Sequence, residues 1–474
     1  MPINYLRILK NFTRLAALLF LGHFFFVAAS AQETDSASDD PTVTEEAEAV
    51  SLPDPVVLKR LQSFRGPYST PVLSSGESRS ARIASSDDAA TTTAPDTSSV
   101  TSITNDLAAC RPPQCRYDET RVVLKLSGGL TSAKLAQART SGGTSPLDGA
   151  SLTPVFAKEA VASANSRMAR SAAVTPSNSR GGQVDLSRWY EMTVPAGTDI
   201  AALIQELDLD DRVELAEPIF ERGISVGEPS AGSAGASNST LSVVNANDPK
   251  KPDQWHLAST RVEEAWQWLE DNGHEPWGDR SIVVAVIDSG VDYTHEDLAG
   301  NMWTNGGEIP GNNIDDDNNG FVDDVYGVSV VGSTYDHKGD PQDDNGHGTH
   351  VAGIIAAQGN NSLGVIGVAP NVRIMAIKAA QYSGVLTSTD ISEAILYAYQ
   401  QGADVINMSF GGSGRSVLEE EALAVAFGNA ALIAAAGNNG IYNDLNCGPF
   451  ARPSYPAAYP YVLGVMAEQP TAAS

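Results

Sequence analysis

An unbroken apolar run from Ile282 to Ile287 delivers Asp288 into a Ser-Gly turn. Such a run reads as a strand buried on both faces, which needs covering layers on both sides. Further strand signals begin at Arg373, Val405 and Leu432 and alternate with helix signals. The clearest helix spans 389–401, with Ile391, Ala394, Ile395 and Ala398 on one face and Gly402 as its stop. This alternation predicts an α/β fold, a parallel sheet with helices on both faces. In open parallel sheets, ligand sites collect at the C-terminal ends of the strands, where Asp288 falls.

A second segment, DDNGHGTHVAG, places His347 between two glycines and ahead of an apolar run at 351–357 that reads as a buried helix. Glycines there let another chain approach the imidazole closely. An aspartate that holds a histidine tautomer and a histidine that takes a proton are two of the three parts of a nucleophilic hydrolase, the third being a hydroxyl. Asp288 and His347 fit the first two. Taken singly, each segment has a plainer reading: a turn or cap aspartate, a solvated histidine, a tight Asn-Asn-Gly turn. His295 and His350 keep that reading.

Together, the segments resemble the subtilisin-like serine proteases, in that family's order, over roughly residues 252–474. By this resemblance DVINMSFGG contributes Ser409, Phe410 and Gly411 to a substrate-binding strand that hydrogen-bonds an extended peptide. AAAGNNG is similar to the oxyanion loop and implies Asn438 as side-chain donor to the developing oxyanion. The family's serine follows the histidine by roughly 160 residues, about position 500, in a Gly-Thr-Ser-Met-Ala-like helix start. Nothing after Asn438 matches that segment, and Gly143-Thr144-Ser145 lies upstream of Asp288 and is followed by Pro146. The expectation is a serine endopeptidase precursor cut short before its nucleophile, and therefore inactive as this chain. A non-catalytic secreted peptide-binding remnant or pseudoprotease is the alternative.

Residues 1–31 read as a secretory signal peptide. Arg7, Lys10 and Arg14 precede an apolar run at 15–29, and Ala29-Ser30-Ala31 offers a cleavage site before Gln32. The run is short for a membrane span, so an extracellular location with no membrane contact after cleavage is expected. Residues 32–117 have a spacer composition rich in Ser, Thr, Ala, Asp and Pro. Residues 118–222 carry strand signals at 122–126, 189–194 and 213–220, the last with a proline that suits an edge. A helix signal at 199–207 has Asp199 as N-cap. The Ser, Ala and Gly-rich stretch 131–182 reads as a surface insertion. This small α+β unit resembles the inhibitory propeptide that precedes many subtilisin-like domains, which implies the chain's own propeptide as a partner; an unrelated α+β module is the alternative. A linker, 223–250, then leads to the catalytic segment 251–474, which opens with a capping-box pattern at Thr260 and Glu263.

Calcium is the implied cofactor. Asp315, Asp317 and Asn319 alternate ahead of Gly320, with Asp323 beyond, an oxygen-rich turn suited to a hard cation. Tyr326 stands where an EF-hand needs a bidentate glutamate, so this is no EF-hand; a solvated acidic turn is the plainer reading. The family resemblance alone implies a second structural calcium at Gln254, Asp297 and Asn361. The net charge of −28 argues against nucleic-acid partners, which need basic surfaces. Polypeptides remain as substrates, and the chain is read as a monomer. Cys110 and Cys115 could close a small loop, leaving Cys447 over.

Overall fold

Two sheets of opposite character share this chain. The structure, a computed structural model, describes residues 116–130, 145–170, 184–225, 246–332, 339–438 and 453–466. The expected signal peptide, the spacer up to Cys115 and all three cysteines lie outside the described residues. Among the described residues no helix is long and apolar enough to cross a membrane.

The first sheet is antiparallel. It contains β1 (Tyr117–Leu126), β2 (Leu152–Pro154), β3 (Trp189–Thr193) and β4 (Val213–Ile224), ordered β4-β1-β3-β2. Two helices accompany it, α1 (Lys158–Arg170) and α2 (Ile200–Leu207). Asp199 caps α2 as its sequence suggests, accepting from the Ala202 amide at 3.1 Å, while Ile200, Ile204 and Leu207 turn inward. β4 runs unbroken through Pro218, which pairs with Val122 of β1. The missing N–H is tolerated because, among the described residues, no strand pairs with the other flank of β4 before Glu221.

The expected surface insertion at 131–182 is corrected by the fold, because β2 and α1 both fall within it. Ala160, Val161 and Ala164 of α1 are buried. Its alanine and serine content resembles a linker, but small side chains one turn apart let a helix pack closely against its neighbours.

The catalytic-like segment opens with α3 (Trp255–Ser259) and α4 (Val262–Asp271). The capping box expected there does not form. Thr260 donates to the His256 carbonyl at 2.6 Å and so closes α3, while Arg261 occupies the α4 cap position at φ 59° without a side-chain bond. Glu263 pairs with Lys251 instead, at 2.7 Å.

The second sheet is parallel throughout: β5 (Val283–Asp288), β6 (Gly327–Ser329), β7 (Arg373–Lys378), β9 (Val405–Met408), β11 (Ala431–Ala435) and β12 (Leu463–Val465), ordered β12-β11-β9-β5-β7-β6. The α/β architecture with a parallel sheet is thus as the sequence predicts. Side chains of β5 alternate between two cores. Val284 and Val286 pack with Leu257, Trp266 and α5 (His347–Ala356) on one face. Val283, Ala285 and Ile287 pack with α6 (Ser388–Gln400) and α7 (Val417–Phe427) on the other.

The antiparallel sheet covers the outer side of α6 and α7, so one apolar core runs from Val122 and Trp189 through Ile391 and Leu423 to Ile287. This explains why α7 is buried although it carries Glu419, Glu420 and Glu421 in succession. Lys125 meets Glu421 at 2.7 Å, Trp189 Nε1 donates to the same carboxylate at 2.9 Å, and Arg415 pairs with Glu420.

Candidate active site

The loop before α5 is organised by Asp343. Its carboxylate accepts from the amides of Asn345, Gly346 and Thr349, each at 2.9 Å, and from the hydroxyls of Ser289 and Thr349. Burial works against its charge, but these donors together hold its carboxyl below the usual carboxylate range. Gly346 takes φ 98° at the helix N-cap, and Gly348 lies against β5. A Cβ on Gly348 would overlap the Gly290 carbonyl oxygen and come within 3.0 Å of the Asp288 Cβ. These glycines bring the helix start onto the end of β5, where Asp288 is fully buried.

His347 Nδ1 therefore lies 2.7 Å from Asp288 Oδ1. Its Nε2 faces the carbonyl oxygen of Ser225 at 3.2 Å. Both partners only accept, so they favour the doubly protonated imidazolium. Burial disfavours that cation, yet the bond and charge of Asp288, with the Ser225 carbonyl and Asp343, leave the His347 pKa raised above 6.5.

Ser225 reaches the histidine because β4 extends past the expected linker boundary at Gly223. Its end lies between β8 (Val385–Thr387) and β10 (Phe410–Gly411), antiparallel to both. Arg222 stands opposite Leu386, Gly223 opposite Val385 and Gly411, and Ile224 opposite Phe410. The Ile224 amide donates to the Gly384 carbonyl at 3.0 Å and the Ser225 amide to the Ser409 carbonyl at 2.9 Å. Ser409, Phe410 and Gly411 are thus brought together along an extended peptide, and the peptide is this chain's own. Asn438 follows β11 and is exposed. As the strands are parallel, it shares the carboxyl edge of the sheet with Asp288.

Comparison with known proteins agrees with this arrangement. Residues 279–473 match the subtilase family. This part of the chain belongs to that family. Subtilisin-like protease 1 of Plasmodium berghei is 42% identical over 165 residues, 35% of this chain and 26% of that protein. Thermitase of Thermoactinomyces vulgaris is 33% identical over 221 residues, 46% of this chain and 64% of that protein. A crystal structure of fervidolysin from Fervidobacterium pennivorans, described as a keratinolytic enzyme related to subtilisin, superposes on 75% of this chain and 43% of its own, at 20% identity and a TM-score of 0.46. The chain spans about a quarter of the length of the Plasmodium berghei relative.

The subtilase segment holds one oxygen-rich cluster whole and most of a second. Asp315 and Asp317 come together with Glu308, which sequence reasoning missed: one oxygen from each lies within 4.8 Å of the others. The amides of Asn319 and Asp323 donate to the cluster's carboxylates, Asn319 to Asp315 and Asp317 and Asp323 to Glu308, while their side chains bond elsewhere in the loop. Asn319 accepts from the Phe321 amide and donates to Asp324, while the Asp323 carboxylate accepts from the amides of Gly311, Asn312 and Asn313. Glu308 is seven residues ahead of Asp315, outside any local spacing pattern, so only the folded loop reveals it.

Around the loop 359–366, Asp297 and Asn361 meet, and Gln254 reaches the same loop at Ile366. Asn361 Nδ2 donates to Asp297 Oδ1 at 2.7 Å, the Val365 amide to Asp297 Oδ2 at 3.0 Å, and the Ile366 amide to Gln254 Oε1 at 2.9 Å. Asp248, placed by its sequence in the linker, joins them and accepts from the amides of Asn360 and Asn361.

Proposed function

We propose that this chain is the precursor part of a secreted, calcium-stabilised, subtilisin-like serine endopeptidase, held inactive by its own N-terminal sheet. The observation that carries the reading is the Ser225 carbonyl set against His347 Nε2 while the Ser225 amide bonds Ser409. The tail of β4 thereby lies as a peptide substrate would, with the bond after Ser225 presented to the imidazole. That bond is the proposed cleavage point between propeptide and mature enzyme.

The chemistry follows from the parts. Asp288 keeps Nδ1 protonated, so Nε2 is the nitrogen that exchanges a proton. Nε2 would take the proton of a serine hydroxyl as that oxygen attacks the carbonyl carbon. An acyl-enzyme forms, and the proton passes to the departing amine. Asn438 would donate its amide to the oxyanion, a contribution worth on the order of a hundred-fold or more in rate. The attacking serine is not found in a family-like segment between Asn438 and Ser474.

Calcium fits both clusters by donor chemistry, since each gathers hard oxygens. Glu308, Asp315 and Asp317 would hold one ion. Gln254, Asp297 and Asn361 would hold another, within a loop where Asn360 and Ser362 take φ 61° and 65° and Gly364 lies against the Asp297 carboxylate. The role assigned to the ions is structural.

The test is to read the genomic frame beyond the Ser474 codon, express the product, and label it with a fluorophosphonate. Labelling that is lost in His347→Ala supports the endopeptidase. A stop codon at that point in independent isolates, or a complete product that never labels, would leave a peptide-binding protein.

A further inference from the structure

The end of β4 does more than fill the cleft. Arg222, three residues ahead of Ser225, is wholly buried and enters a pocket between β10 and α7. Its Nη2 donates to Glu419 Oε2 at 2.7 Å and to the Gly414 carbonyl at 2.6 Å. The Tyr459 hydroxyl lies 3.0 Å from the same carboxylate oxygen, and the Phe220 ring stands 5.7 Å from the guanidinium. Gly412 leaves the room the side chain needs, since a Cβ there would come 3.1 Å from Arg222 Cδ. Glu419 is itself fully buried. A carboxylate in such a place is tolerated when a cation meets it and is strongly unfavourable when an apolar group seals it from water.

We infer that the cleft carries an acidic subsite, built on Glu419, which selects arginine, and after it lysine, at the fourth residue ahead of the cleaved bond, counting back from the residue whose carbonyl faces His347. This rests on the reading of the β4 tail as a substrate-like occupant. Arginine leads because one nitrogen reaches both Glu419 and the Gly414 carbonyl. Lysine keeps the charge but loses the flat guanidinium that stands over the Phe220 ring. An apolar residue would desolvate Glu419 and offer it nothing. The tail's Arg222-Gly223-Ile224-Ser225 is thus a first draft of the preferred substrate sequence.

Amide hydrogen exchange of Ile224 and Ser225, read by mass spectrometry on the full chain, tests this without any need for hydrolysis. Arg222→Leu is expected to speed exchange of these two amides on the order of a hundred-fold, and Arg222→Lys about ten-fold. In a Glu419→Gln background, the same Arg222→Leu change should cost less than about ten-fold, because the charge it served is gone. Equal losses in both backgrounds would make Arg222 a packing residue and overturn the proposal. So would an Arg222→Leu tail that stays as protected as the native one. Rapid exchange of both amides in the unaltered chain would instead overturn the docking itself, and with it both the propeptide reading and this one.

Discussion

His347 is held between two acceptors, which makes its titration a direct report on Asp288. Its folded-state pKa is raised, so its contribution to stability is complete below about 6.5 and is lost as the pH climbs through the folded value. Asp288→Asn removes the charge and leaves at most a neutral acceptor, so burial acts with less opposition. The His347 resonance is then expected to titrate at lower pH in an NMR pH series; an unchanged midpoint would refute the pairing. His256 is the opposite case. Buried near His350, it is pushed down to about 4. Between pH 6.5 and about 4 the unfolded chain binds a proton that the folded one refuses, so stability falls as the pH drops. The loss should reach roughly 3 kcal/mol. His256→Phe should flatten that part of the pH profile in urea titrations, whatever its effect at pH 7.

Between elements, a carboxylate of one sheet caps a helix over the other. Glu217 on β4 accepts from the Ser416 hydroxyl and from the amides of Val417 and Leu418, the first turn of α7. Burial outweighs these bonds and raises its pKa to about 7. From 4.5 to about 7 the folded chain keeps a proton that the unfolded chain has released. Stability therefore falls as the pH rises through this window, by roughly 3 kcal/mol. Glu217→Gln should remove that slope, as followed by thermal melts between pH 4.5 and 8; a slope unchanged from the native chain would refute the assignment. None of this capping was legible in the sequence. VLEEEALAVAF reads as a helix with a solvated acidic start, because nothing local announces the sheet that covers it or the Lys125, Arg222 and Arg415 that neutralise its glutamates. The β5, β7, β9 and β11 strands were legible because buried parallel strands are continuous apolar runs. Asp288 and His347 were legible because their motifs are short and contiguous. The role of Ser225 was not, since a Gly-Ile-Ser stretch entering a Ser-rich segment looks like the start of a linker. Glu308 was missed for the same reason, its cluster being assembled by the fold across seven residues of loop.

At the scale of the whole molecule, two groups of oxygen ligands in a chain of net charge −28 offer places that a divalent cation would neutralise. The two oxygen-rich clusters bind distant stretches together. Asp248 and Gln254 come from the segment that enters the subtilase domain, Asp297 from the loop after β5, and Asn361 from the loop after α5. The cluster at Glu308, Asp315 and Asp317 closes a loop whose Asp324 takes hydrogen bonds from Tyr397 of α6 at 2.6 Å and from Asn305 and Asn319 at 2.9 Å. An ion in either place binds only the folded chain, so its stabilisation follows mass action: about 2.7 kcal/mol at a hundred-fold excess over Kd. For a domain of this size that corresponds to roughly 5–10 °C in melting temperature. Calcium added to chelator-treated protein is expected to raise the melting temperature by about that amount for each site filled, and magnesium to do less, because it surrenders its water shell reluctantly. Asp297→Asn and Asp315→Asn should each remove part of the rise, and the double variant all of it. A melting temperature that calcium leaves unmoved within about 1 °C, a shift small against that expectation, would assign both clusters to loop hydrogen bonding alone.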